Sequence, residues 1–600
     1  MKIKVAHYIA NFFAERGIEH LFTITGGGAM HLNDAFGHHE KLTCIYNHHE
    51  QACAIAAEGY TRLTGKLAAV CVTSGPGGTN AITGVLGAWL DSIPMFVISG
   101  QVKRETTIHA TDIPLRQLGD QEFDIVGSVS NMTKYARIVM EPNDIRYHLE
   151  KAYFLCKNGR GGPVWLDVPL DVQAAMIETD ELKAFDEQKE VESVETPMYD
   201  KKASSLIINK LKEAKRPVVF LGTGVRLADA HEELLQLIDT LQVPVVTAWN
   251  AHDLIEDIHP LYCGRPGSIG TRGGNFVVQN ADLLFVLGCR LNIRQISYNY
   301  KDFAPNAYKI IIDIDKNELS KPTITADLPI WANLKDVVTD LLSRDLTVCH
   351  SQEHEKWLAW AHTINMKYPA VLPSYYANKE VLNPYMFVSE FFKGLKDDDV
   401  VACGNGSACV ITFQAAIIKR YQRLFTNSGC ASMGYGFPAA IGCSIARKGK
   451  RVICMDGDGS FQMNLQELQT VVYNHLNIKI IYLNNNGYHS IRQTQANIFQ
   501  PPLVGVSDGN GLSFPSAVKL AAAYDIPYMK VSSVDDISKL HEFIEGDGPA
   551  FCEIIVDPNQ NFEPKLSSKV LSDGRIISPP IDDMFPFLDK KEYEANKRME

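Results

Sequence analysis

Arg451-Val-Ile-Cys-Met-Asp-Gly-Asp-Gly459 and, further on, Ile478-Lys-Ile-Ile-Tyr-Leu-Asn-Asn-Asn-Gly487 decide how this chain is read. With the intervening Ser460-Phe-Gln-Met-Asn-Leu-Gln-Glu-Leu468, they scan as strand, tight turn, helix, strand, turn. In a parallel sheet both turns would fall at the same carboxyl edge. A carboxylate of the first turn, an amide oxygen of the asparagine run and a nearby main-chain carbonyl would then converge. That donor set suits a small hard cation whose octahedron is completed by phosphates. Gly457 and Gly459 allow close backbone approach, and the helix after Ser460 aims free N–H groups at an anion. Each half alone is a common turn or strand end. Together, at this separation, they read as a magnesium–diphosphate site.

Working outward, 600 residues is too long for a single core and predicts about three or four domains. A hydrophobic share of 46% and a charged share of 21% are those of a globular protein. A net charge of −12 gives no general reason to expect nucleic acid or an anionic membrane as partner. No apolar run approaches the ~18–20 residues of a membrane span. Residues 1–17 read as an amphipathic helix ending at Gly17, without the features of a signal peptide. Thirteen scattered cysteines with no C-x-x-C pair read as reduced core residues of a cytoplasmic protein.

Residues 1–180 alternate strands and helices, with strands expected at Leu42–Tyr46, Leu67–Thr73, Met95–Ser99 and Pro163–Val168. This βαβ pattern predicts a parallel sheet covered by helices. An acidic linker follows, from Glu178 to Asp200. A second α/β unit spans 201–350, with strands at Pro217–Leu221, Val243–Thr247, Leu283–Leu287 and Lys309–Ile314. A linker helix carries Trp357 and Trp360, and a third unit spans 381–556. The tail, 557–600, either wraps the surface or forms a flap over the site.

The motif from Gly457 to Gly487 matches the signature of thiamine-diphosphate enzymes, and the chain resembles their acetolactate synthase-like, pyruvate oxidase-like branch. The resemblance implies an α/β fold of three consecutive open parallel-sheet domains: pyrimidine-binding, central and diphosphate-binding. It implies Asp458 and Asn485 as Mg²⁺ ligands through side chains and Gly487 through its carbonyl, with Gly457, Gly459, Ser460 and Tyr488 around the cofactor. It also implies a homodimer or homotetramer, with sites where one subunit's first domain meets the third domain of another.

The family's cofactor needs an acid beside its pyrimidine ring nitrogen. Tyr46-Asn-His-His-Glu50-Gln51 resembles the family's His-Glu-Gln motif, which makes Glu50 that acid; by propensity alone Glu50 is a helix-start carboxylate. Thr73-Ser-Gly-Pro-Gly-Gly-Thr-Asn80 resembles the family segment that lies against the cofactor, bringing in Ser74 and Gly75; alone it is a strand-to-helix turn. Gly26 opens a glycine loop matching the substrate side, although Thr25 stands where proline is usual. Gln121 matches a glutamine that faces substrate, with Asp120 where acetolactate synthases carry phenylalanine. Gly404-Asn405-Gly406 would approach the diphosphate, and Met433 matches the apolar prop under the bent cofactor. Gln493 matches another family glutamine. Thr494 replaces a tryptophan that restricts the acceptor, which opens volume, while His489 and Arg492 add donors.

The central unit carries Gly222-Thr-Gly-Val-Arg226, Gly264-Arg-Pro-Gly-Ser-Ile-Gly270, Gly288-Cys-Arg-Leu-Asn-Ile-Arg294 and Asp313-Ile-Asp315 at strand ends, where dinucleotides bind in open α/β sheets. The corresponding loops hold FAD in flavin-binding relatives, but Trp249-Asn250 and Ile269 depart from that pattern. Bound FAD and a vestigial or ADP-binding domain both stay open. The resulting expectation is a carboligase that decarboxylates a 2-oxo acid, pyruvate by default. Glu50, Gln121, Gln493 and His489 would act on the reacting groups, Arg492 with them would orient the acceptor, and a second 2-oxo acid or a ketosugar nucleotide would be that acceptor. The rivals are a simple decarboxylase or C–C hydrolase, a flavin-dependent pyruvate oxidase, and a catalytically silent regulatory partner.

Overall fold

The computed structural model describes residues 1–600 except 194–196, 379, 500, 571–572 and 598–600. Three parallel sheets follow one another along the chain. The first orders its strands Thr43–Tyr46, His20–Thr23, Ala69–Val72, Met95–Gln101, Pro163–Pro169, Tyr135–Ile138. The third runs Arg423–Phe425, Val400–Cys403, Val452–Gly457, Ile478–Asn484, Ala550–Ile555, Tyr528–Val531. Numbered by position in each domain, both orders are 2-1-3-4-6-5. The first and third units therefore share their full strand topology. The central sheet has five strands, Val245–Thr247, Pro217–Leu221, Leu283–Leu287, Tyr308–Asp313 and Leu328–Trp331.

The inner strands Val452–Gly457 and Met95–Gln101 are buried along their whole length. This is the continuous apolar run of a parallel strand covered on both faces. Helix boundaries follow local chemistry. Helix Glu50–Thr64 starts at His49, whose side chain accepts from Gln51 N, and stops at Gly65 in the left-handed region (φ 69°). Helix Pro76–Leu90 begins with its proline at the first position.

The first and third domains of one chain share an apolar core, with Phe22, Val70 and Trp165 in one cluster with Val400, Phe437 and Phe551. Helix Glu50–Thr64 lies directly on helix Gly436–Arg447, where a Cβ on Gly59 would meet the Ala439 carbonyl oxygen at 2.6 Å.

Three segments differ from the sequence reading. Lys2–Lys4 is a strand pairing antiparallel with Met176–Glu178, so the first helix is only Val5–Glu15, and the start of the acidic linker is sheet. The helix of Trp357 and Trp360, Gln352–Lys367, belongs to the central core: Trp357 is fully buried and its Nε1 donates to the Pro217 carbonyl at 3.0 Å. The tail returns to the central domain. Buried Arg272 donates to the carbonyls of Met584 (3.2 Å) and Pro586 (2.6 Å), and Asn275 Nδ2 donates to Ile581 O at 2.9 Å. The thirteen cysteines are all unpaired, and eleven are buried. Among the described residues, no helix is long and apolar enough to cross a membrane.

Candidate active site

The two turns quoted first meet at the carboxyl edge of the third sheet. Strands Val452–Gly457 and Ile478–Asn484 are parallel neighbours, with Gly457 opposite Leu483. Asp458 is 3% exposed. Its Oδ1 accepts from Gly459 N at 2.8 Å and its Oδ2 from Gly487 N at 2.9 Å. Burial lifts its pKa to about 6, partly countered by the N–H groups of Gly487, Gly459 and Asn485 and by the Arg492 charge. Asn485 is buried beside it. Its Nδ2 donates to Ser407 Oγ at 2.9 Å, which leaves Oδ1 buried and without a hydrogen-bond partner among the described residues. An orphaned amide oxygen next to a nearly enclosed carboxylate is an arrangement that a cation would complete. Among the described residues no three His, Cys, Asp or Glu side chains cluster as a metal site, so a cation here would rely on this mixed oxygen set.

The surrounding loops close the cradle. Gly404 N donates to Met455 O at 2.7 Å, and a Cβ on Gly404 would lie 1.9 Å from Asp456 Oδ1. Asp456, which the sequence reading did not assign, is fully buried with its pKa pushed up to about 7 by burial. Asn405 donates through Nδ2 to Asn427 Oδ1 (2.9 Å) and Ser432 O (2.7 Å), fixing the turn rather than reaching outward. Gly406 (φ 80°) starts helix Ser407–Ala415, with open space on its Cβ side. Gly434 N donates to Ser460 Oγ at 2.9 Å, which sets half-buried Met433 at the rim. The Tyr488 ring rests on Gly459, where a Cβ would meet Cε1 at 2.2 Å.

In the first domain, Glu50 is nearly buried and accepts from Asn80 Nδ2 at 3.0 Å. The turn before it is fastened to the third domain. Asn47 Nδ2 and His48 N donate to the two carboxylate oxygens of Glu467, at 2.9 and 3.0 Å. Glu467 was missed in the sequence, although an acid inside the apolar pattern Leu465-Gln-Glu-Leu468 was a visible signal. Gly26 packs on Thr73, and Gly28 N donates to Thr73 Oγ1 at 3.0 Å, with buried Ser74 beside it. Gly75 (φ 59°) lies under Gln121, whose carbonyl a Cβ would meet at 2.5 Å; Gln121 is itself in the left-handed region (φ 60°) and exposed. In both sheets these residues lie on loops that follow the first four strands in sequence.

The helix His489–Ile498 divides its residues. His489 is buried against the Phe562 ring (5.0 Å), its Nε2 lacks a hydrogen-bond partner among the described residues, and burial with the adjacent Arg492 charge lowers its pKa to about 4, leaving it neutral. Gln493 is buried. Thr494 is exposed and donates to Ser490 O at 2.9 Å. Arg492, read in the sequence as orienting an acceptor, instead engages main-chain carbonyls of the asparagine loop.

A second cleft of about 340 Å³ lies where the three domains meet. Gly222-Thr-Gly224, Gly288 and Asp313 line it at the carboxyl ends of central strands, with Asp91 and Arg160 from the first domain and Ser428 from the third. Of the four expected central loops, 264–270 does not border it: Gly264 abuts Asn365 and Gly270 O accepts from Gln414. Trp249 lines the cleft and stacks on Phe413 at 4.8 Å. Burial raises the Asp313 pKa to about 6.

Comparison with known families matches residues 3–126 to the thiamine pyrophosphate enzyme N-terminal TPP binding domain, 205–341 to the central domain and 404–554 to the C-terminal TPP binding domain. The chain is 30% identical to the acetolactate synthase isozyme 1 large subunit of Escherichia coli, over 94% of this chain and 95% of that protein. It is 31% identical to the acetolactate synthase large subunit of Cyanidium caldarium, over 94% of each chain. It is also 31% identical to a probable acetolactate synthase large subunit of Methanocaldococcus jannaschii, over 93% of this chain and 92% of that one. With three matching domains in the family's order and relatives spanning nearly its full length, the chain belongs to the thiamine pyrophosphate enzyme family, on its acetolactate synthase-like branch.

Proposed function

We propose that the protein is a thiamine-diphosphate- and Mg²⁺-dependent carboligase that decarboxylates a 2-oxo acid, pyruvate first, and transfers the acyl unit to an acceptor carbonyl. The observation that carries this reading is the partnerless Asn485 Oδ1 beside the buried Asp458 carboxylate. These two oxygens, with the Gly487 carbonyl, would hold the metal. Gly404, Gly406, Gly457, Gly459 and Ser460 would receive the diphosphate, with the Asn405 side chain fixing the 404–406 turn, and Gly26, Ser74, Gly75, Met433 and Tyr488 would line the rings. Bound thiamine diphosphate supplies a carbon nucleophile and an electron sink for the loss of CO₂. Glu50, oriented by Asn80, would hold a proton at the pyrimidine nitrogen. Gln121 and Gln493 would face substrate, and His489, neutral and buried, would support them from behind the metal loop.

The curated relatives are named for acetolactate synthesis, which supports a 2-oxo acid donor. Thr494 in place of a bulky indole favours a larger acceptor, such as a ketosugar nucleotide. A homodimer or homotetramer is supported by exposed apolar side chains beside both catalytic edges, Ile113 and Leu118 on one and Ile498, Phe499 and Val504 near the other. Thirteen free thiols favour a cytoplasmic setting. The three-domain cleft fits a nucleotide, FAD among them: Asp313 stands where a ribose hydroxyl is held in such folds, and glycine loops leave room for phosphates.

Mass spectrometry of products from pyruvate, with and without 2-oxo acids and ketosugar nucleotides, tests the reading. A new carbon–carbon bond in an acceptor-dependent product is expected. Acetaldehyde and CO₂ alone would mean a decarboxylase, and quinone reduction by a yellow protein would mean an oxidase.

A further inference from the structure

Arg492 lies on the first turns of helix His489–Ile498, half-buried, and its guanidinium grips three main-chain carbonyls. Nη2 donates to Asn485 O at 3.0 Å and to Pro558 O at 3.1 Å, and Nη1 donates to Asn486 O at 3.3 Å. Nη2 also lies 3.3 Å from His489 Nδ1. Two of the three carbonyls belong to the loop whose Asn485 and Gly487 are read as metal ligands.

That loop has an unusual backbone. Asn486 has φ 57° and Gly487 φ 137°, so two successive residues leave the region that ordinary side chains favour. A Cβ on Gly487 would lie 2.1 Å from Val506 O, so the turn is also sterically confined. On one side Gly487 N–H is held by Asp458 Oδ2. On the other, Arg492 draws the carbonyls of 485 and 486 toward itself. The Asn485 side chain, anchored by Ser407, keeps its Oδ1 without a partner among the described residues. The planar fork of an arginine can hold several oxygens in fixed directions, which a lysine ammonium does less well. The third acceptor, Pro558, extends the tie to the C-terminal segment, which also presses Phe562 onto the His489 ring.

We propose that Arg492 is a positioning residue: it locks the 485–487 loop against the segment 557–562 in the shape that binds the divalent cation. The role rests on the Mg²⁺ site proposed above. It differs from a contact with substrate, because the guanidinium acts through the loop and not on the reacting atoms. Groups that orient metal ligands in this way typically change metal affinity by about 10–100-fold when removed.

The test uses full-length Arg492→Ala, Arg492→Lys and Asp458→Asn. Mn²⁺ binding is followed by electron paramagnetic resonance, and the Mg²⁺ dependence of thiamine diphosphate binding by tryptophan fluorescence. Arg492→Ala should weaken the metal about 10–100-fold with little change in melting temperature, methylguanidinium should restore part of that loss, and Arg492→Lys should fall between. Wild-type metal affinity in Arg492→Ala overturns the proposal if Asp458→Asn has lost it. So does a loss that follows a collapse in melting temperature and is not rescued by methylguanidinium. Should the alanine variant fail to fold, Arg492→Lys decides, with unchanged affinity counting against the role. Wild-type affinity in Asp458→Asn would instead remove the metal site itself.

Discussion

A methyl group on Gly442 would sit 1.9 Å from the carbonyl oxygen of Ala56. The helix that begins with Glu50 and the helix Gly436–Arg447 thus touch backbone to backbone, and the first domain's acid is seated directly on the third domain. Gly442→Ala should force them apart and cost about 1–3 kcal/mol. Thermal unfolding measures the loss, and an unchanged melting temperature would show that the contact yields freely.

Glu50→Gln keeps the size of the side chain and its hydrogen bond from Asn80 within reach, but cannot exchange a proton as the acid does. Turnover should fall by about 10²–10⁴-fold while cofactor binding stays close to wild type. Steady-state consumption of the 2-oxo acid and a fluorescence titration separate the two effects. Normal turnover would take Glu50 out of the chemistry.

Asp458→Ala removes a carboxylate that burial already disfavours, so the apoprotein should not melt earlier. Wild-type protein should gain melting temperature with thiamine diphosphate and Mg²⁺, because ligand binding stabilises the folded state. The variant should gain none. An equal gain in both would contradict the metal assignment.

Thr494 is exposed at the surface of the helix that follows the 485–487 loop. Thr494→Trp should fill space there and shift competition between a small 2-oxo acid and a larger ketone by about ten-fold toward the small one. Product ratios from mixed acceptors read this directly, and an unaltered ratio would place residue 494 away from the acceptor.

Asp167 is buried between Ser99 Oγ (2.6 Å) and Gln101 Nε2 (3.0 Å), and burial lifts its pKa from 3.8 to about 7. A carboxyl raised on folding binds its proton more tightly in the native state. Its stabilising effect is complete below the unfolded pKa and is lost as pH rises through about 7. Asp167→Asn should therefore gain stability relative to wild type at pH 8, on the order of a few kcal/mol, and little at pH 4. Chemical denaturation at the two values checks it, and a pH-independent difference would mean that Asp167 stays ionised.

The meeting of the two turns at one sheet edge was legible because its chemistry is local: a Gly-Asp-Gly turn and an asparagine run each end a continuous apolar strand. Strands Pro217–Leu221 and Leu283–Leu287 were legible in full for the same reason. The seat of Glu50 was not, because it depends on partners hundreds of residues away: Glu467 holding Asn47, and Ala439 against Gly59. Arg492 illustrates the same limit. Its sequence neighbours suggested an outward donor, but its acceptors are main-chain carbonyls that only the folded loop gathers. The short edge strands Lys2–Lys4 and Arg423–Phe425 carry too few residues to show a period, and pairing alone defines them.

The return of the tail to the central domain bears on how the protein is made. Ribosomal synthesis releases the five central strands long before residues 581–586, yet the buried guanidinium of Arg272 finds carbonyl acceptors in that last stretch. A nascent chain therefore carries an unfinished middle while the third domain is still emerging, and a message cut short near its end yields a polypeptide with every catalytic motif and an open seam.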